Sequence, residues 1–113
     1  MGDMTYNLFL DDLRDPPAGD WLVVRSYEEA CQTVMERGWP RLVSFDHDLG
    51  RTPSGELGKT GFDFAKFLVE RDLEECSLPV DFQFVVHSAN PIGAENIASY
   101  LRSYLRFKAT PSI

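Results

Sequence analysis

Phe45-Asp46-His47-Asp48-Leu49-Gly50 is the stretch on which the fold turns. The apolar run over residues 42–45 drives straight into two carboxylates flanking an imidazole, and a glycine-rich segment follows at once. An apolar run bounded by polar and glycine residues predicts a buried strand, and in open α/β sheets ligands gather where such strands end. Two other runs end alike: residues 7–10 in Asp11-Asp12, and residues 82–86 in His87-Ser88-Ala89-Asn90.

Outward from that strand the pattern alternates. Residues 21–24 predict a further short strand closed by Arg25. Ser26 with Glu29 then forms a capping-box pattern, in which hydroxyl and carboxylate each satisfy an amide of the first helical turn. Tyr27, Ala30, Cys31, Val34 and Met35 follow at helical spacing, and Gly38 with Pro40 stops the helix. Residues 50–61 hold four glycines, one proline, Arg51 and Lys59, which predicts a mobile loop beside the site. Thr60, three residues before Asp63, caps a helix running to about Glu75 with Phe62, Ala65, Leu68 and Val69 on one face. A last helix is expected over roughly 92–105, burying Ile97, Leu101, Tyr104 and Leu105. Residues 13–20 carry Arg14, two prolines and Gly19, so they predict a loop. Strands alternating with helices predict a mostly parallel sheet covered on both faces, with all strand C-termini on one edge. Asp11, Asp12, Arg25, Asp46, His47, Asp48 and His87 then converge there.

The totals limit what such a site serves. At 113 residues the expectation is one domain over residues 1–113. The start of the chain has neither a signal peptide nor a membrane span, which predicts a cytoplasmic protein. Cys31 and Cys76 lie far apart without a CxxC pattern and are expected as buried or free thiols, and Trp21 and Trp39 as structural. A net charge of -7 opposes a long nucleic-acid groove and an anionic membrane. A small phosphorylated ligand is compatible with it where a cation or local arginines offset the acids.

Asp11, Asp12 and Asp46 are hard oxygen ligands whose mutual repulsion a divalent cation relieves, Mg²⁺ first. The bland alternative is that strand-end aspartates cap helices. His47 and His87, the only two histidines, either form a general base and acid pair or ligate a metal, since His47 between two aspartates also suits Mn²⁺ or Zn²⁺. Ser88 and Asn90 precede a helix N-terminus and either bind phosphate oxygens or cap the helix. Arg14 and Arg25 either hold phosphate or pair with the aspartates. Arg51 and Lys59 are weaker candidates.

LFLDDLRDPP (8–17), the W..VRSYEEA segment (21–30), SFDHDLG (44–50), TGFDFAKFL (60–68) and VHSANPIGAENI (86–97) together resemble the cyclic-phosphate-processing receiver domain family. The resemblance implies a receiver-like, three-layer doubly wound α/β fold. Its sheet would be mostly parallel and four-stranded with about three helices, the first crossover helix being replaced by a loop. It also implies a metal pocket at Asp11, Asp12 and Asp46, two family histidines at His47 and His87, and processing of cyclic phosphates at RNA ends or on cyclic nucleotides. Asp46 occupies the phosphoacceptor position of an ordinary receiver. A fifth strand with its lysine is not evident, and Lys108, close to Pro111, is the candidate remnant. The expectation is a metal-dependent phosphoesterase acting on a small cyclic phosphodiester. In it one of His47 and His87 activates water and the other protonates the departing ribose oxygen, Asp48 orients His47, and Arg14 or Arg25 holds phosphate beside Ser88 and Asn90. The alternative is a non-catalytic receiver-like module that binds a phosphorylated ligand or a partner protein.

Overall fold

The computed structural model describes residues 5–50 and 58–109. Arg51, Pro111 and most of the loop expected after Gly50 lie outside the described residues. The elements follow in the order β1 (Asn7–Leu10), β2 (Leu22–Val24), α1 (Tyr27–Arg37), β3 (Leu42–Phe45), α2 (Gly61–Glu75), β4 (Gln83–Val86) and α3 (Pro91–Ala109). The strands form one parallel sheet of order β2-β1-β3-β4. Parallel neighbours need crossovers, and α1 and α2 supply two of them, while residues 11–21 join β1 to β2 without a helix.

Side-chain alternation divides the sheet into two unequal faces. Leu8, Leu10, Val24, Val43 and Phe45 share one face and pack with Ala30 and Val34 of α1, Phe64, Ala65 and Leu68 of α2, and Ile97 and Leu101 of α3 in one core. Phe9, Ser44 and Val85 share the other face and take no part in that core. The expected cover on both faces is thus uneven, because the loop over 11–21 stands where a helix would have shielded the second face. Trp21, from that loop, meets Phe9 edge-on at 5.8 Å, and His87 stacks on Phe9 from beyond β4.

Local signals set the helix ends. Ser26 Oγ accepts from the Glu29 amide at 3.1 Å, while Glu29 Oε1 reaches past the cap to the Arg25 amide at 2.7 Å. Gly38, at φ 87°, ends α1 and donates to Val34 O. Thr60 and Asp63 form a full capping box on α2. Met35, expected on the buried side of α1, is exposed and receives the Arg71 guanidinium on its sulfur. Cys31 and Cys76 are free thiols, with Cys76 exposed.

The last helix runs one turn beyond the expected end. That turn carries Lys108, whose Nζ lies 2.9 Å from the buried Asp72 carboxylate. Tyr104 OH also donates to Asp72, and the Leu78 amide does so at 2.8 Å. Lys108 is therefore a helix residue tying α3 to the end of α2, a correction to its reading as a strand remnant. Among the described residues no helix is long and apolar enough to cross a membrane.

Candidate functional site

The register of the parallel sheet determines which polar residues meet. Leu10 is level with Val24 and with Phe45, and Phe45 is level with Val86. The next residues, Arg25, Asp11, Asp46 and His87, therefore form one further rung across the sheet. Backbone bonds continue the ladder through it: Asp11 N to Val24 O, Asp46 N to Leu10 O, and His87 N to Phe45 O at 2.9 Å. Alternation turns these side chains to the face of Phe9 and Ser44. His47 is one residue further along, and a one-residue step reverses the face.

Asp11, Asp46 and His87 each offer a ligand atom within 4.8 Å of the other two. A cleft of about 340 Å³ is lined by Asp11, Asp12, Arg14, Asp46, Asp48 and Ser88, with Gly50 at its edge. Asp12 Oδ2 occupies the space where a side chain at Gly50 would begin, 2.8 Å from the position of a Cβ.

The two buried carboxylates are in contrasting states. Asp11 Oδ1 accepts from the Leu13 and Arg14 amides, both at 2.9 Å, and Oδ2 faces His87 Nε2 at 2.9 Å. Burial raises its pKa, but those two amides and His87 outweigh burial and hold it below the usual carboxylate value. Asp46 is pushed up, first by burial and then by the Asp11 charge, against hydrogen bonds from Ser88 and the His47 amide. A partly uncompensated carboxylate beside an ionised one fits a divalent cation, which removes the repulsion between them. Asp11 and Asp46, with Asp12 across the same cleft, are the residues that would hold it.

His87 and His47 occupy different surroundings and share no hydrogen-bond partner among the described residues. His87 has both ring nitrogens engaged, Nδ1 with Ser44 Oγ at 2.7 Å and Nε2 with Asp11. His47 lies against the first turn of α3, where a Cβ on Gly93 would come within 2.4 Å of its Cγ. Its Nδ1 faces Asp48 Oδ1 at 2.9 Å, and its Nε2 has no hydrogen-bond partner among the described residues. The expected pairing of the two histidines across one ligand is not what the geometry contains. The register separates them, since His87 is on the rung and His47 one residue past it.

The remaining candidates divide in the same way. Arg14 lines the cleft, with Nη1 donating to His87 O at 2.9 Å and Nε 4.0 Å from Asp11. Arg25 is spent on the loop after β1: Nη1 donates to Asp11 O and Arg14 O, and Nη2 meets Asp15 at 3.3 Å. Ser88 lines the cleft and accepts from the Asn90 amide. Asn90 caps α3 through Oδ1 on the Gly93 amide at 3.0 Å, and its Nδ2 donates to Asp48. Lys59 lies over the Tyr27 ring at 5.7 Å, outside the cleft.

Three contributors escaped the sequence reading. Ser44, the one polar residue in the run Leu-Val-Ser-Phe, carried a signal, since a hydroxyl in a buried strand must find a partner. Gly61 and Gly93, each in the first turn of its helix, allow close approach to the end of β3. A Cβ on Gly61 would lie 1.9 Å from Asp46 O.

A family model described as the cyclic-phosphate processing receiver domain matches residues 6–103. No curated protein and no solved structure matches the chain.

Proposed function

The chain belongs to the cyclic-phosphate processing receiver domain family, and on that premise we propose that its cleft is the site of a metal-dependent phosphoesterase acting on a small cyclic phosphodiester. The observation that carries this reading is the convergence of Asp11, Asp12 and Asp46 on one cleft that also holds Arg14 and Ser88. A divalent ion, Mg²⁺ or Mn²⁺, supplies charge neutralisation to a phosphate when bound. Asp46 and Asp11, the latter already oriented by two amides, would hold it, with Asp12 across the cleft. Arg14 at the rim holds a non-bridging oxygen. His47 packs against the first turn of α3 and does not line the cleft, whereas Asp48, which meets its Nδ1, does. Water oxygen bonds to phosphorus as the ring P–O bond breaks. The water gives its proton to solvent, and the departing ribose oxygen takes one from solvent. The substrate class is a cyclic nucleotide or a 2′,3′-cyclic phosphate at an RNA end.

The test is hydrolysis of 2′,3′-cyclic nucleotides followed by mass spectrometry, with Mg²⁺ or Mn²⁺ and with chelator. Metal-dependent turnover that disappears in Asp46→Asn supports the reading. Absence of turnover with metal, or full turnover in Asp46→Asn, overturns it. A second reading, a receiver-like signalling module, is favoured by the buried Asp46 carboxylate at the end of β3 beside Asp11. It predicts covalent labelling by a small phosphodonor, such as acetyl phosphate, that is lost in Asp46→Asn.

A further inference from the structure

We propose that Ser44 is a positioning residue whose hydroxyl, acting through the imidazole of His87, fixes the Asp11 carboxylate at the edge of the cleft. The proposal deepens the reading of that cleft as a cation site and rests on it. Ser44 is 4% exposed and lies on the sheet face away from the helices, level with Phe9 on one side and Val85 on the other. Its small side chain leaves room for the His87 ring to cross β3 and stack on Phe9, with centroids 4.6 Å apart and planes 6° from parallel. A larger residue at position 44 would fill that space.

The chain of bonds has a defined direction. Asp11 is an acceptor toward His87: its Oδ1 accepts two backbone amides, and its Oδ2 faces the ring nitrogen. Nε2 of His87 therefore carries the proton that it donates to Oδ2 across 2.9 Å. In the tautomer with its proton on Nε2, Nδ1 is an acceptor, and the Ser44 hydroxyl donates to it across 2.7 Å. The stack and the hydroxyl fix the imidazole, while Arg14 holds the backbone carbonyl of the same residue. With both nitrogens engaged, His87 serves as a support for Asp11, and the outer partner of that support is Ser44. Groups that orient a ligating side chain in this way typically change metal affinity by about 10- to 100-fold when removed.

Nitrogen-15 histidine labelling of the metal-free protein, with His47→Asn used to assign the two rings, reads the chain directly. The expected result is a proton on Nε2 of His87 in the wild type and a displaced Nδ1 resonance in Ser44→Ala. Calorimetric titration with Mn²⁺ should then give about 10- to 100-fold weaker binding in Ser44→Ala. Phe9→Leu, which removes the stack and keeps the hydroxyl, should retain most of the affinity. A proton on Nδ1 in place of Nε2 in the wild type overturns the proposal whether or not the variant folds. So does an Nδ1 resonance unmoved by Ser44→Ala, or equal Mn²⁺ affinity in that variant. Wild-type protein that binds no Mn²⁺ removes the cation reading itself, and the Nδ1 measurement then decides the hydrogen-bonded chain alone.

Discussion

Burial pushes the Asp72 carboxyl up, but Tyr104, Lys108 and the Leu78 amide outweigh it and hold the pKa below the usual value. Its stabilising effect is complete above the unfolded-state pKa of about 4 and is lost as pH falls through the lower folded-state value. Asp72→Asn should therefore lower stability at pH 7 in urea unfolding and flatten the loss of stability below about pH 4. Asp46 is the opposite case. Its pKa is raised in the folded state, so its ionisation opposes folding at neutral pH. Asp46→Asn should raise the melting temperature of the chelator-treated protein by a few degrees, and on the proposed cation reading it should remove the rise expected of the wild type with Mn²⁺. The sequence marked Asp46 through its place after an apolar run. It gave no such mark to Asp72, which sits on a helix and draws its partners from α3 and from the turn after α2.

Among the elements, the N-termini of α2 and α3 do most to shape the end of β3. The Gly61 amide donates to His47 O at 2.9 Å, and the same glycine leaves no room for a Cβ beside Asp46 O. Gly61→Ala should move α2 away from β3 and destabilise the fold by about 2 kcal/mol, despite the better helix propensity of alanine. Thr60→Ala, which removes only the cap, should cost about 1 kcal/mol. Equal effects of the two variants in chemical denaturation would mean that the helix does not approach as closely as described. At the start of α3 the contact is with a side chain. Gly93→Ala should displace the His47 ring and shift its resonances while leaving helix content by circular dichroism unchanged. The caps were legible because Ser-x-x-Glu and Thr-x-x-Asp are local patterns. The role of the glycines was not, since close approach depends on what lies on the other side.

For the molecule as a whole, the sheet order places β1 and β3 at the centre and β2 and β4 at the edges. β4 alternates between exposed and half-buried residues, with Val85 50% exposed. Amides of β1 and β3 should therefore exchange with solvent most slowly, and those of β4 and β2 markedly faster, in native-state hydrogen exchange. Protection in β4 equal to that in β3 would indicate a covering that the chain alone does not provide. By itself the sequence determined the elements, their order and the parallel sheet, because hydrophobic period, caps and helix stops are local properties that survive without a partner. It also determined that carboxylates and imidazoles end three strands. Only the tertiary structure decided how they are grouped: Arg25, Asp11, Asp46 and His87 on one rung, His47 turned to the helix side, and Ser44 behind His87. Register is a relation between strands, and one residue of offset reverses the face to which a side chain points. No inspection of a single strand contains that information.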